Sequence, residues 1–171
     1  MPVFDFFHWT QPTGGLLALD GPIIPVEISM PTVLEEWCVK QNIAVPAPIS
    51  GYALIDTGAS ISGIHQAILD QLSLLPIDSI PMQTPAGQGR AFVYPTKVSF
   101  PSIQVSDYPM SRVVGSQLGW TTSQNHRVIM LLGRDLLIHF LMVYNGKFNA
   151  VTLAYQPIPV ISTLEHHYQG P

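Results

Sequence analysis

The sequence predicts an all-β domain with a few short helices. About eight short apolar or alternating segments are separated by turn residues at close intervals, as in sheets built from hairpins. Strands do not alternate regularly with long helices, which excludes a doubly wound α/β enzyme. The chain has 171 residues, of which 47% are hydrophobic and 11% charged, so it can bury one good core and is most simply a single domain.

Charge and cysteine content exclude several classes of partner. The formal net charge is -4 and the seven Lys and Arg residues are scattered, so no basic patch is available for nucleic acid or an anionic membrane. The single Cys38 cannot form an internal disulfide or a metal site by itself and is predicted to be a small buried residue. Because we find no signal peptide and no apolar run long enough for a membrane span, the cytoplasm is the expected compartment.

The first part of the chain predicts an arm, a strand and a helix. Residues 1–21 are rich in aromatic residues and then in Pro and Gly, which indicates an irregular arm. Residues 22–29 place apolar side chains at alternate positions and predict a strand. The spacing of Thr32 and Glu35 matches a capping box, and the apolar stripe after it predicts a short helix over about 33–41.

The most informative stretch is an apolar strand that ends in Asp56-Thr57-Gly58. Such a strand would hold a partly desolvated carboxylate at its end, while Gly58 permits a tight turn and the Thr57 hydroxyl can brace a neighbouring chain. If a second carboxylate faced Asp56, the two would share a proton and could act as base and acid in peptide hydrolysis by water. The alternative is an ordinary Asx turn, because Asp before Thr-Gly is common turn chemistry.

A glycine-containing hairpin is predicted after this turn. A short helix is expected over 63–72, where apolar residues recur at a spacing of four. Residues 79–84 and 92–100 then alternate as the two strands of a hairpin. Gly87 and Gly89 near its tip would allow a mobile flap that closes over a peptide and excludes water. A plain hairpin loop without a role in binding is the alternative.

The C-terminal part predicts several short elements in succession. Short strands broken at 107–109 are followed by a polar loop, a buried strand, a helix and a hairpin. The last four are expected at 115–126, 127–132, 134–141 and 140–155. Asn145-Gly146 is a strong signal for a two-residue hairpin turn, and Gly133 should let the buried strand pass close to the acidic turn. Residues 156–171 are predicted to be an extended tail, which leaves 22–155 as the domain.

These segments together resemble a known family. Residues 53–60, taken with 129–137 and with the glycine-containing segment 84–90 between them, are similar in order and spacing to the retropepsin-like aspartic proteases. That family comprises the single-domain, retroviral-type relatives of pepsin, and the resemblance covers about 49–155. It implies a closed barrel equivalent to one half of a pepsin-type bilobed fold. It also implies peptide hydrolysis without a metal or another cofactor.

The resemblance further implies a homodimer that acts on a peptide or protein. Pepsin-like enzymes carry two acidic turns in one chain, whereas this chain has one, so a second copy must bring its own Asp56 to a twofold axis. The implied catalytic residues are Asp56, Thr57 and Gly58, and the implied substrate-binding residues are Ala59, Ser60, Ala86, Gly87, Gln88 and Gly89. Ser60 and Ile61 stand where many viral members have an acidic residue, so Arg134 lacks its usual carboxylate partner.

Two other classes of function stay open. A retropepsin-like module without catalysis could serve dimerisation or peptide binding, because a strand-lined cleft can hold an extended peptide without cutting it. A small-molecule-binding barrel would need an internal apolar cavity in a monomer. The intact Asp-Thr-Gly turn favours chemistry, since a scaffold has no physical need for a paired, desolvated acid.

Overall fold

The computed structural model describes residues 7–10, 17–84 and 87–155, and strands are their main secondary structure. The strands are β1 (Phe7–Thr10), β2 (Ile23–Ser29), β3 (Ile49–Ile55), β4 (Gly63–His65), β5 (Asp78–Thr84), β6 (Gly87–Phe100), β7 (Val105–Ser116), β8 (Trp120–Thr121), β9 (Arg127–Leu132), β10 (Phe140–Asn145) and β11 (Ala150–Tyr155). The α-helices are α1 (Leu17–Asp20), α2 (Thr32–Lys40), α3 (Gln66–Gln71) and α4 (Arg134–Leu137). The predicted class, all-β with short helices, is confirmed.

Six strands close into a barrel. Hydrogen-bonded neighbours follow the order β2-β3-β9-β4-β7-β6, and β6 returns to β2 over three residue pairs from Glu27 with Ser99 to Ser29 with Lys97. The β3–β9 and β4–β7 pairs are parallel and the others are antiparallel. β5 is attached outside this ring on β6, and β8 on β9. The predicted closed barrel is therefore confirmed.

Apolar side chains fill the interior of the barrel. Fully buried residues from its strands include Ile24, Ile28, Ile64, Phe100, Met130 and Leu132. Cys38 of α2 is also buried, as predicted, and its Sγ lies 4.0 Å from Met30 Sδ. None of the helices within the described ranges combines the length and the apolar character of a membrane span.

Two predictions for the N-terminal part are wrong. The arm predicted as irregular contains β1, because its backbone groups pair with β11 in a second sheet of order β1-β11-β10; residues 1–6 and 11–16 lie outside the described residues. The capping box predicted for α2 does not form, because the Glu35 carboxylate accepts a hydrogen bond from Lys97 Nζ at 2.7 Å, and Pro31 stands at the N-cap. This ion pair ties α2 to the barrel.

Strand pairing explains the differences in the middle of the chain. The helix predicted over 63–72 begins only at Gln66, because the three residues before it pair with β7 and β9 as β4. The predicted break at 107–109 is also wrong. β7 runs through it, since Asp107 adopts φ of 50° where the register with β6 shifts and the strand bulges. The loop predicted over 115–126 contains the end of β7 and the short β8.

The C-terminal hairpin forms, but with a different turn. α4 ends at Leu137, short of the predicted end, because β10 begins three residues later. The two-residue turn predicted at Asn145-Gly146 is wrong. Residues Gly146–Phe148 form a 3-10 turn and Asn149 adopts φ of 52°, so the connection has four residues between the paired ends of β10 and β11. The predicted tail, 156–171, lies outside the described residues.

Candidate active site

β3 delivers Asp56 to a tight turn at its carboxyl end. β3 runs parallel to β9, and the Asp56 N–H donates to the Leu132 carbonyl at 3.0 Å. The Asp56 Oδ1 atom accepts hydrogen bonds from the backbone N–H groups of Gly58 at 2.8 Å and Ala59 at 3.2 Å. This is the geometry of an Asx turn, but no described residue donates to Oδ2. The half-buried carboxylate is thus fixed through one oxygen, while the other has no hydrogen-bond partner among the described residues.

Arg134, the first residue of α4, holds the same turn from the other side. Its N–H donates to the Ala59 carbonyl at 2.9 Å, and its Nη1 donates to the carbonyls of Thr57 at 2.8 Å and Gly58 at 3.2 Å. Backbone carbonyls thus bind this guanidinium, for which the sequence predicted that the usual carboxylate partner is missing. Its positive charge lies beside the acidic turn and fixes two carbonyls that are otherwise exposed to solvent.

A second carboxylate, that of Asp135, ties helix α4 to the segment just before β4. Its Oδ2 accepts from the Ser62 N–H at 3.0 Å and its Oδ1 from the Ser62 hydroxyl at 2.7 Å. The Gly133 N–H donates to the same hydroxyl oxygen at 3.0 Å. A Cβ at Gly133 would lie 2.8 Å from the backbone of Ile61, so the predicted close approach of this glycine is confirmed.

Sequence reasoning missed the pair formed by Ser62 and Asp135. Ser62 is fully buried in a largely apolar stretch, and a buried hydroxyl needs a hydrogen-bond partner. The sequence signal for that partner was Asp135, the acid that directly follows Gly133 and Arg134. Because Asp135 lies 73 residues after Ser62, no local sequence pattern indicates that the two side chains pair.

A cavity of about 360 Å³ lies beside the turn. Its lining includes Ser60, Ile61, Tyr108, Met110, Arg112 and Asp135. Burial raises the pKa of the Tyr108 hydroxyl, and the charges of Tyr155 and Asp135 raise it further. This phenol therefore stays neutral at neutral pH. Ser60, predicted to bind substrate, is therefore placed at the edge of a pocket that has both apolar and hydrogen-bonding groups.

The structure brings some of the predicted site residues together and leaves others apart. Asp56, Thr57, Gly58, Ala59 and Ser60 share one turn. β5 and β6 form the predicted hairpin, in which Thr84 pairs with Gly87, Gln83 with Gln88 and Met82 with Gly89, whereas Ala86 lies outside the described residues. No hydrogen bond between described residues joins this hairpin to the turn, so its role as a flap stays a prediction.

The described part of the chain contains no group of three or more His, Cys, Asp or Glu side chains that could hold a metal ion. At the turn, the described residues present the Asp56 carboxylate, backbone N–H and carbonyl groups, the hydroxyls of Thr57 and Ser60, and the guanidinium of Arg134.

Comparison with known proteins gives a structural likeness. No protein-family model matches the chain, and no curated protein does. Among solved structures, the solution structure of simian foamy virus (mac) protease is similar over 67% of this chain and 91% of that chain, with 16% sequence identity and a TM-score of 0.38. At that TM-score the likeness carries no argument about activity.

Proposed function

We propose that this protein is a homodimeric aspartic endopeptidase in which two copies of Asp56 activate a water molecule. One observation carries the proposal: Asp56 is fixed through Oδ1 by the N–H groups of its own turn, while Oδ2 has no partner among the described residues. The hydrogen bonds of the Asx turn use only the first oxygen, so the second is available for chemistry. A carboxylate held rigidly with a free second oxygen is suited to accept a proton from water.

A single carboxylate cannot be acid and base in the same step, which is why the proposal requires a second copy. Thr57, Gly58 and Ser60 are exposed in the single chain, so a second turn can approach the first. Two facing carboxylates repel each other when both are ionised, and they therefore share one proton. In this state one Asp56 is a base and the other is an acid.

The proposed reaction balances without a cofactor. The ionised Asp56 takes a proton from water as the water oxygen bonds to the carbonyl carbon of the peptide. The protonated Asp56 gives its proton to the carbonyl oxygen, which yields a tetrahedral diol. When the C–N bond breaks, the nitrogen receives the first proton, and a diol hydroxyl returns a proton to the second carboxylate. The products are a carboxylic acid and an amine, and the shared proton is restored.

The test is Asp56→Asn, measured with a peptide that has apolar residues on both sides of the cleaved bond. The amide can still accept from the Gly58 and Ala59 N–H groups, but it cannot take a proton from water. We expect kcat to fall by roughly 10³-fold or more, since general-base catalysis contributes about 10² to 10⁴. The variant should still dimerise, because the substitution removes repulsion between facing carboxylates.

A chelator supplies the matched control for Asp56→Asn. Cleavage by the unsubstituted protein should be unchanged in EDTA if carboxylates alone activate the water. The proposal is wrong if Asp56→Asn cleaves the peptide at the original rate, or if EDTA stops cleavage.

A further inference from the structure

A groove beside α2 gathers exposed apolar side chains. Six large apolar residues that are each at least 37% exposed line it, namely Val33, Leu34, Trp37, Ile43, Leu75 and Ile77. Among the described residues of its lining, Ser73 alone is polar and none is charged. Apolar surface that is gathered in one place, rather than scattered singly, is typical of a binding surface.

Contacts with the barrel fix both walls of the groove. α2 forms one wall and residues 73–77 the other, and the volume between them is about 670 Å³. On the first wall, the Glu35 carboxylate pairs with Lys97 at 2.7 Å. On the second, the Ile77 N–H donates to the Val93 carbonyl at 2.8 Å. Because the walls are already fixed, filling the groove orders few additional groups of the barrel domain.

The chain itself contains a segment of matching chemistry. Residues 160–164, VISTL, are uncharged and include the large apolar residues Ile161 and Leu164. They lie outside the described residues and follow β11 by five positions. Pro157 and Pro159 stand between β11 and this segment, and alternating prolines favour an extended, semi-rigid spacer.

The segment is long enough to reach the groove. Tyr155 ends β11, and its ring centroid lies 5.5 Å from that of Phe140, which lies 6.1 Å from that of Phe100. Phe100 ends β6, and Pro95 of the same strand lines the groove, so the groove begins within about 30 Å of Tyr155 along this path. A straight line is shorter still. Leu164 follows Tyr155 by nine residues, which can span up to about 30 Å.

We propose that residues 160–164 of this chain cover the groove, with Ile161 and Leu164 packed against Trp37 and Ile77. The groove shares no lining residue with the cavity beside the acidic turn, so the inference goes beyond the proposed protease activity and does not depend on it. Ile77 directly precedes β5, the first strand of the hairpin predicted to be a flap. The docked segment therefore braces the base of that hairpin.

Photochemical cross-linking in the full chain tests this placement. The photoreactive residue p-benzoyl-phenylalanine replaces Ser162, which leaves Ile161 and Leu164 unchanged. After irradiation, peptide mass spectrometry should find cross-links from position 162 to the walls of the groove within the same chain. Leu75→Asp places a charge in the groove and should lower the yield of these cross-links at least about tenfold, because apolar side chains would bury that charge without a partner.

Val39→Asp is the matched control. Val39 is 69% exposed on α2 but does not line the groove, whereas Leu75 is 80% exposed and lines it. The control should leave the yield of the cross-links unchanged. Because both substitutions replace exposed side chains, far-UV circular dichroism should show unchanged folding in both variants.

Three results would overturn the proposal. The first is that position 162 cross-links outside the groove or not at all. The second is that Val39→Asp lowers the yield as much as Leu75→Asp. The third is a cross-link between two chains, with twice the mass and a yield that rises with protein concentration, because the groove would then bind the segment of a second copy. None of these readouts involves peptide cleavage, so failure of this inference and failure of the proposed function are distinguishable.

Discussion

Asp56 and Asp135 follow the neighbouring strands β3 and β9, but they use their carboxylates differently. β3 and β9 run side by side in parallel, and Ile55, just before Asp56, pairs with Leu132. Both oxygens of Asp135 accept hydrogen bonds, from the Ser62 N–H and hydroxyl and from the Leu136 N–H at 3.0 Å. Only one oxygen of Asp56 does so.

The difference shows how one type of side chain can have two roles in one site. Donors that saturate both oxygens make a carboxylate part of the framework, because it is then needed to satisfy buried groups. A carboxylate with one free oxygen keeps the capacity to exchange a proton. Asp56 is therefore expected to matter for chemistry and Asp135 for stability.

The largest stability effect should follow from Asp135→Ala. It leaves the buried N–H and hydroxyl of Ser62 without their acceptor, which we expect to cost about 2–4 kcal/mol of unfolding free energy. Urea unfolding measures this change, and kcat per folded molecule should fall much less than it does in Asp56→Asn. The reciprocal control is Asp56→Asn, whose unfolding free energy should change by only about 1 kcal/mol, because the amide oxygen still accepts from the Gly58 and Ala59 N–H groups. The assignment of the two carboxylates is wrong if Asp56→Asn causes the larger loss of unfolding free energy and Asp135→Ala the larger loss of kcat.

Arg134→Gln should loosen the acidic turn without removing its carboxylate. The variant loses charge-assisted hydrogen bonds to the carbonyls of Thr57 and Gly58, for which we expect about 1–2 kcal/mol. If the turn is then less well positioned, kcat should fall about tenfold with KM little changed. Steady-state kinetics on the peptide tests this, and Arg134→Lys, which keeps the charge, should restore part of the rate. A rise in KM alone would assign Arg134 to substrate binding instead.

The smallest effect concerns Glu35, a carboxylate paired with a cation rather than with N–H groups. Its partner Lys97 has a side chain only 10% exposed. Burial alone would lower the pKa of Lys97, but hydrogen bonds to Glu35 and Asp107 outweigh it and raise that pKa above 10.5. A raised pKa stabilises the fold below the ordinary lysine value, and this contribution is lost as the pH rises through the raised value.

Glu35→Gln should therefore lower the unfolding free energy by about 1 kcal/mol near neutral pH. The difference between the variant and the unsubstituted protein should shrink at pH values above 10.5, the ordinary value for lysine. Urea unfolding at several pH values measures it. Asp107→Asn is the milder control, because Asp107 is 67% exposed in its side chain. A difference that stays constant through the alkaline range would contradict the assignment.

The sequence predicted the elements whose signals are local. The apolar run into Asp56-Thr57-Gly58 and the alternation in β2 each lie within a few residues, and both features are confirmed as strands of the barrel. A short turn motif likewise indicated where Asp56 would lie. Period-two patterning and turn chemistry are enough for such features because their causes are local.

The missed contacts are those between distant residues. The sequence predicted a capping box between Glu35 and Thr32, three residues before it. The Glu35 carboxylate instead pairs with Lys97, 62 residues further along the chain. Arg134 reaches the Thr57 carbonyl across 77 residues. For Glu35, a charged hydrogen bond made in the folded chain replaces a weaker local alternative, and no local pattern records that competition.

The parallel pairing of β3 with β9 also determines when the acidic turn gains its long-range hydrogen bonds. β2 and β3 are close in sequence, but the carbonyl that receives the Asp56 N–H belongs to Leu132. Contacts between such distant segments form slowly, because the intervening chain loses entropy before the contact stabilises it. A ribosome-bound chain that ends before β9 contains the whole Asp-Thr-Gly sequence but lacks this acceptor and the guanidinium of Arg134. The nascent chain therefore has only the local hydrogen bonds of the turn, and lacks its long-range supports, until translation has passed α4.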